Sequence, residues 1–172
     1  MKVLVPLAAL ALAATLCACT AATQASPTPP FRGFSVGFET GSVPPPFNYT
    51  YTLDGTFQPD GLSVHYVLQY RFRDQATRDE ITSQGYTTHD DIDWTGLLTG
   101  PALETWRSLV AATTLEPIPP LAPGSDSFSV SLTPQTGDVQ VGVPVNRDVW
   151  QTAITAVDKQ ARKETGATRT EP

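Results

Sequence analysis

The amino-acid sequence predicts an α+β domain: an antiparallel sheet, made of a three-strand meander and a later hairpin, covered on one face by helices in the order βββααββα. Three observations carry this. Apolar and polar residues alternate through residues 34–73. The apolar spacing lengthens to three and four around residues 101–110 and again after 146, and alternation returns between those two stretches, from 127 to 143.

The strands follow from the alternation. Phe34, Val36 and Phe38 are interleaved with Ser35, Gly37 and Glu39, and Phe47, Tyr49, Tyr51 and Leu53 with Asn48, Thr50, Thr52 and Asp54. In the longest run, Leu62, Val64, Tyr66, Leu68, Tyr70 and Phe72 share one face; Ser63, His65, Val67, Gln69, Arg71 and Arg73 share the other. A period of two with one polar face is the pattern of half-buried antiparallel strands. Residues 41–46 break the first pair, and Pro59-Asp60-Gly61 has the turn chemistry to close the second.

The helices follow from caps and spacing. Asp74 is placed to cap a short segment that runs through Ile81 and stops at Gly85. Pro101 suits a first helical position, and Ala102, Leu103, Trp106, Leu109 and Val110 then fall on one face. A proline-rich connection over 116–124 carries the chain across the surface. Phe128, Val130 and Leu132 then face the core from one strand of a hairpin, and Val139, Val141 and Val143 from its partner, with residues 133–137 as the turn. Asn146 is placed to cap the last helix, with Asp148 in its first turn and Trp150, Ile154, Val157 and Ala161 on its apolar side. Lys159, Arg162 and Lys163 near its end complement the helix dipole.

Ahead of this domain lies an export segment. Lys2 precedes an apolar run from Val3 to Leu16, the build of a secretory signal. The run is shorter than the about 20 residues that cross a bilayer. Leu16-Cys17-Ala18-Cys19 resembles the lipobox of bacterial lipoproteins, with Cys17 an unusual occupant of the tolerant position. The resemblance implies cleavage before Cys19, acylation of that cysteine and a chain held at a membrane through lipid. In a cell with two membranes, Thr20 resembles an outer-membrane sorting signal. An ordinary signal peptide cleaved near Ala25 is the alternative.

Cysteine usage agrees with export. The two cysteines stand at 17 and 19, so the domain has no disulfide framework and must be held by its core. Residues 1–18 thus read as signal peptide and 19–30 as lipidated cysteine and flexible tether, rich in Thr, Ala, Ser and Pro. Residues 31–164 read as one globular domain and 165–172 as a polar tail. The net charge of −6 becomes −7 once Lys2 leaves with the signal. An acidic chain without a basic stripe excludes nucleic acid as a partner.

The candidate chemistry is concentrated in residues 87–96, TTHDDIDWTG. The segment falls between the Gly85 stop and the Pro101 helix, which predicts a connecting loop. His89, Asp90, Asp91, Asp93 and Thr95 form a possible ion or polar site. Asp91, Asp93, Thr95 and Gly96 match the first half of a calcium loop of the EF-hand type, but Ala102 stands where its bidentate glutamate belongs. The structural alternative makes Thr88 and Asp91 a capping pair, puts the charges of Asp90 and Asp91 on the free N–H groups of a short turn, and pins that turn with Ile92 and Trp94 or Leu97. Zinc is disfavoured, with no cysteine in the domain and His65 on a strand.

The chain contains no G-x-S-x-G elbow, phosphate loop or H-E-x-x-H motif. The expected function is therefore that of a lipid-anchored bacterial envelope protein with a non-catalytic binding domain and no cofactor. The polar face of the third strand, with His65, Gln69, Arg71 and Arg73, is the expected surface for an envelope protein or cell-wall component. Two alternatives use the 87–96 segment: an envelope hydrolase built on the acids and histidine at 89–93, and a weak calcium-binding domain.

Overall fold

A computed structural model describes residues 30–42, 48–70, 76, 79–80, 83–84 and 90–167. Its elements run β1 (Phe31–Glu39), β2 (Tyr49–Phe57), β3 (Leu62–Tyr70), β4 (Ile92–Leu98), α1 (Gly100–Ala111), β5 (Leu115–Glu116), β6 (Ser127–Pro134), β7 (Gln140–Pro144) and α2 (Arg147–Thr165). The predicted meander is present as β1–β2–β3. The predicted later hairpin is present as β6–β7, and β1 pairs with β6, so the two pieces form one antiparallel sheet in the order β4-β3-β2-β1-β6-β7-β5.

Two strands depart from the predicted order. The segment expected to be a loop contains β4, and a short β5 pairs with β7 at the opposite edge. Between β3 and β4, residues 76, 79, 80 and 83 are helical. The expected cap Asp74 and stop Gly85 lie outside the described residues, as do Phe47 and residues 71–73.

One face of the sheet and the two helices make the core. Phe34 and Val36 of β1, Leu53 of β2, the even-numbered residues Leu62 to Leu68 of β3, and Phe128, Val130 and Leu132 of β6 are buried, as the alternation predicted. Leu103, Trp106, Leu109 and Val110 of α1 and Trp150, Ile154, Val157 and Ala161 of α2 close over them. Ala102, predicted inward, is exposed. Phe34 stacks on Trp106 at 4.7 Å between ring centroids and meets the edge of Trp150 at 5.5 Å. Offset aromatic contacts of this kind add about 0.5–1.5 kcal/mol to burial alone. Two buried indoles find partners: Trp150 Nε1 of α2 donates to Thr113 Oγ1 at 2.9 Å, and Trp94 Nε1 of β4 donates to Glu164 of α2 at 2.7 Å.

The helix ends differ in detail from expectation. Asn146 is the N-cap residue of α2, but its side chain makes no capping bond and its Oδ1 is buried without a partner. Its backbone carbonyl instead accepts from Val149 and Trp150 N–H. Asp148 lies in the first turn, Arg162 and Lys163 in the last, and Gly166 closes the helix at φ 74.

The parity of β7 is opposite to that predicted. Gly142 and Pro144 are buried, while Val139 and Val141 are 51% and 56% exposed. The reason is the backbone of β5, which crosses close to the inner side of β7: a Cβ on Gly142 would lie 2.3 Å from the Glu116 carbonyl oxygen. No side chain fits there, so the valines take the outer face. The β6 strand also runs to Pro134, into the residues expected to form the turn.

Candidate interaction surface

Both helices pack on the inner face, and among the described residues no element covers the outer one. The outer side chains form rows across the strands. Thr95, His65, Asp54, Ser35, Ser131 and Val141 follow one another from β4 to β7, and Asp93, Val67, Thr52, Gly37 and Ser129 make the next row. The face is thus paved with hydroxyls and small residues, carries one imidazole, and is bordered by valines on β7.

The residues expected at an ion or catalytic site are distributed along β4 rather than gathered. Ile92, Trp94 and Leu98 point inward and are buried; Asp91, Asp93 and Thr95 point outward. The predicted pin Leu97 is 52% exposed. Gly96 lies on the inner side beneath the Trp94 ring, where a Cβ would sit 2.2 Å from the indole. An extended strand advances ~3.3 Å per residue, so Asp91 and Thr95 stand on the order of 13 Å apart along the backbone. That is the reverse of a curled calcium loop, in which the same residues bend around one ion.

Asp91 and Asp93 each have a separate local partner instead. Asp91 Oδ1 accepts the Tyr70 backbone N–H at 2.8 Å, which corrects the expected turn cap: the carboxylate satisfies the end of β3. Asp93 Oδ1 lies 2.9 Å from His65 Nε2 in a diagonal cross-strand pair, with side chains 78% and 45% exposed. Asp54 stands beside His65 on β2, and Asp90 is exposed ahead of β4. His89 and Thr88 lie outside the described residues. Among the described residues no group of three or more His, Cys, Asp or Glu side chains converges as metal ligands do.

Of the expected partner surface, His65 and Gln69 are exposed on the open face. Arg71 and Arg73 lie outside the described residues. A cavity of about 480 Å³ opens elsewhere, where the end of β1 meets the proline-rich connection; Thr40, Ser42, Asn48, Leu121 and Ser125 line it, and none of the expected site residues does.

A second polar group was missed in the sequence. Tyr66 Oη donates to Asp158 Oδ1 at 3.0 Å, and Arg162 Nε donates to Asp158 Oδ2 at 2.9 Å, with the arginine and aspartate side chains only 12% and 13% exposed. Burial, reinforced by the Asp158 carboxylate, pushes the Tyr66 phenol far above its ordinary pKa, and burial does the same at Tyr51. The i,i+4 spacing of Asp158 and Arg162 is visible in the sequence, but their tyrosine partner stands 92 residues away from Asp158. This group ties α2 to β3 on the covered side and has no access to the open face.

No protein-family model matches the chain, and neither a curated protein nor a solved structure matches it.

Proposed function

We propose that the chain is a lipid-anchored protein of the bacterial cell envelope, and that its domain binds a partner, another envelope protein or a cell-wall component, through the open face of the sheet. The supporting observation is the one-sided sheet itself: helices bury one face, while His65, Gln69, Thr52, Asp54 and Val141 stand exposed on the other. The Leu16-Cys17-Ala18-Cys19 segment supports the anchor, since export followed by acylation explains why the chain keeps cysteine only there. More than one acyl chain makes such anchoring stable. The acids and histidine of the open face are spread and exposed, with Asp93 on His65 and Asp91 on the Tyr70 N–H, an arrangement suited to contact rather than to catalysis in a concave pocket.

Two measurements test the proposal. Intact mass of the mature chain should show an acylated N-terminus at Cys19; Cys19→Ser should release the domain or leave it unprocessed, and Cys17→Ser should keep it at the membrane. An unmodified N-terminus beyond residue 19 removes the anchor. Affinity recovery from an envelope extract should yield a partner that a His65→Ala, Gln69→Ala double variant loses, and equal recovery by that variant argues against the open face.

A further inference from the structure

We infer that residues 117–123, PIPPLAP, form a docking ridge for a partner protein whose groove is walled by aromatic rings and rimmed with basic residues. The ridge belongs to no strand of the open face, and its role does not depend on what that face binds.

Its backbone has little choice of shape. Four of the seven residues are proline, with φ held at about −65°. Glu116, Ile118, Pro119 and Ala122 each precede a proline, which moves them from helical to extended backbone. Only Leu121 escapes both restrictions. No helix, strand or turn forms over 117–122, so the extended chain joins no ladder and is left as a polyproline II rod.

Both ends of the rod are fixed. Strand β5 ties Leu115 and Glu116 to β7. At the other end Ser125 N–H donates to the Ala122 carbonyl at 3.0 Å, across Pro123 and a Gly124 at φ 83, which is the chemistry of a type II turn. The Ser42 N–H then donates to the Gly124 carbonyl, and the Gly41 N–H to Asp126 Oδ1. A segment already held in its bound shape loses little entropy on docking.

The side chains say what the groove must be. With three residues per turn, Pro117, Pro120 and Pro123 share one edge of the rod, and Ile118 and Leu121 share a second. Every residue from 116 to 126 is exposed, Ile118 at 49% and Leu121 at 52%. Stiffening a connection needs the prolines, but not two aliphatic side chains held in step towards water. Proline has no N–H, so the rod cannot extend a sheet; it offers carbonyl acceptors and apolar rings. Aromatic side chains match both, giving flat apolar walls and indole or phenol donors. Glu116 and Asp126 flank the rod, which calls for basic residues at the ends of the groove and disfavours an anionic lipid surface.

The experiment uses the full chain in envelope membranes from its own cells, with benzoyl-phenylalanine replacing Ile118. Illumination should join it to a protein at a site bearing tryptophan or tyrosine. A synthetic peptide of residues 115–125 should reduce that adduct about tenfold, the effect of occupying or losing one strong anchor, and the same peptide carrying Pro117→Ala and Pro120→Ala should not. In the chain itself Leu121→Ala should also reduce the adduct about tenfold while leaving the melting temperature unchanged, since Leu121 is exposed. An adduct that survives the proline-containing peptide or Leu121→Ala overturns the proposal, as does one at a site without aromatic residues. Adducts with lipid alone would assign the ridge to the membrane. No adduct from the folded domain would leave residues 117–123 as a stiffened connection and nothing more.

Discussion

Asp91, just ahead of β4, and Trp94, three residues on within it, do opposite work. The Asp91 carboxylate closes the end of β3 through one hydrogen bond at the surface, and the Trp94 indole is buried over Gly96 with its N–H on Glu164. A single exposed hydrogen bond contributes about 0.5–1.5 kcal/mol. Removal of a buried tryptophan costs about 3–5 kcal/mol, from lost transfer energy and the cavity left behind. Chemical denaturation should therefore show Trp94→Ala more damaging than Asp91→Ala by at least twofold. Because Asp91, Asp93 and Thr95 are strung along an extended strand, millimolar calcium should leave the melting temperature where it is, since only binding to the native state raises it. A calcium-dependent rise abolished by Asp93→Ala would show that the strand can rearrange around an ion.

At the scale of elements, β4 and β7 show why some of the structure was legible and some was not. Strands β1 to β3 and β6, and the apolar sides of α1 and α2, were readable because each buried residue fell at its expected period. In β4 the same period is present, with Ile92, Trp94 and Leu98 inward, but three acids and three threonines in the ten residues 87–96 imitate loop chemistry and mask it. In β7 the period was read correctly and the side wrongly, because periodicity alone does not say which face is inward. That choice belongs to the β5 backbone beside Gly142, a contact across 26 positions of the chain. The His65–Asp93 pair is hidden in the sequence for the same reason: 28 residues separate its members, and only the pairing of β3 with β4 brings them together. The corrected parity is measurable. Leu132→Ala, at a fully buried position, should cost about 2–5 kcal/mol. Val141→Ala on the neighbouring strand, at an exposed position, should stay within about ±0.5 kcal/mol. Equal costs would return Val141 to the core.

At the scale of the whole molecule, a two-layer domain without disulfides depends on what holds the long helix α2 to the sheet. Apolar contacts supply most of that hold, and Tyr66, Asp158 and Arg162 add a polar group that joins α2 to β3 under cover. Asp158→Ala would leave the Arg162 guanidinium largely buried without its carboxylate, and breaking a buried pair from one side costs about 3–5 kcal/mol. The same group gives the fold an alkaline limit. Tyr66 donates its proton to a carboxylate in a buried place, so its neutral form is favoured and its folded pKa lies well above that of the unfolded chain; burial acts in the same direction at Tyr51. A raised folded pKa contributes stability that is complete below the unfolded value, about 10 for tyrosine. That contribution is lost as pH climbs beyond it. Ultraviolet titration should thus find Tyr51 and Tyr66 silent near pH 10 while the domain is folded. Both should ionise together with the loss of native circular dichroism at higher pH. Tyr66→Phe should remove one late phenol from that step, and a Tyr66 signal that titrates freely near pH 10 in the folded domain would break the link between α2 and β3.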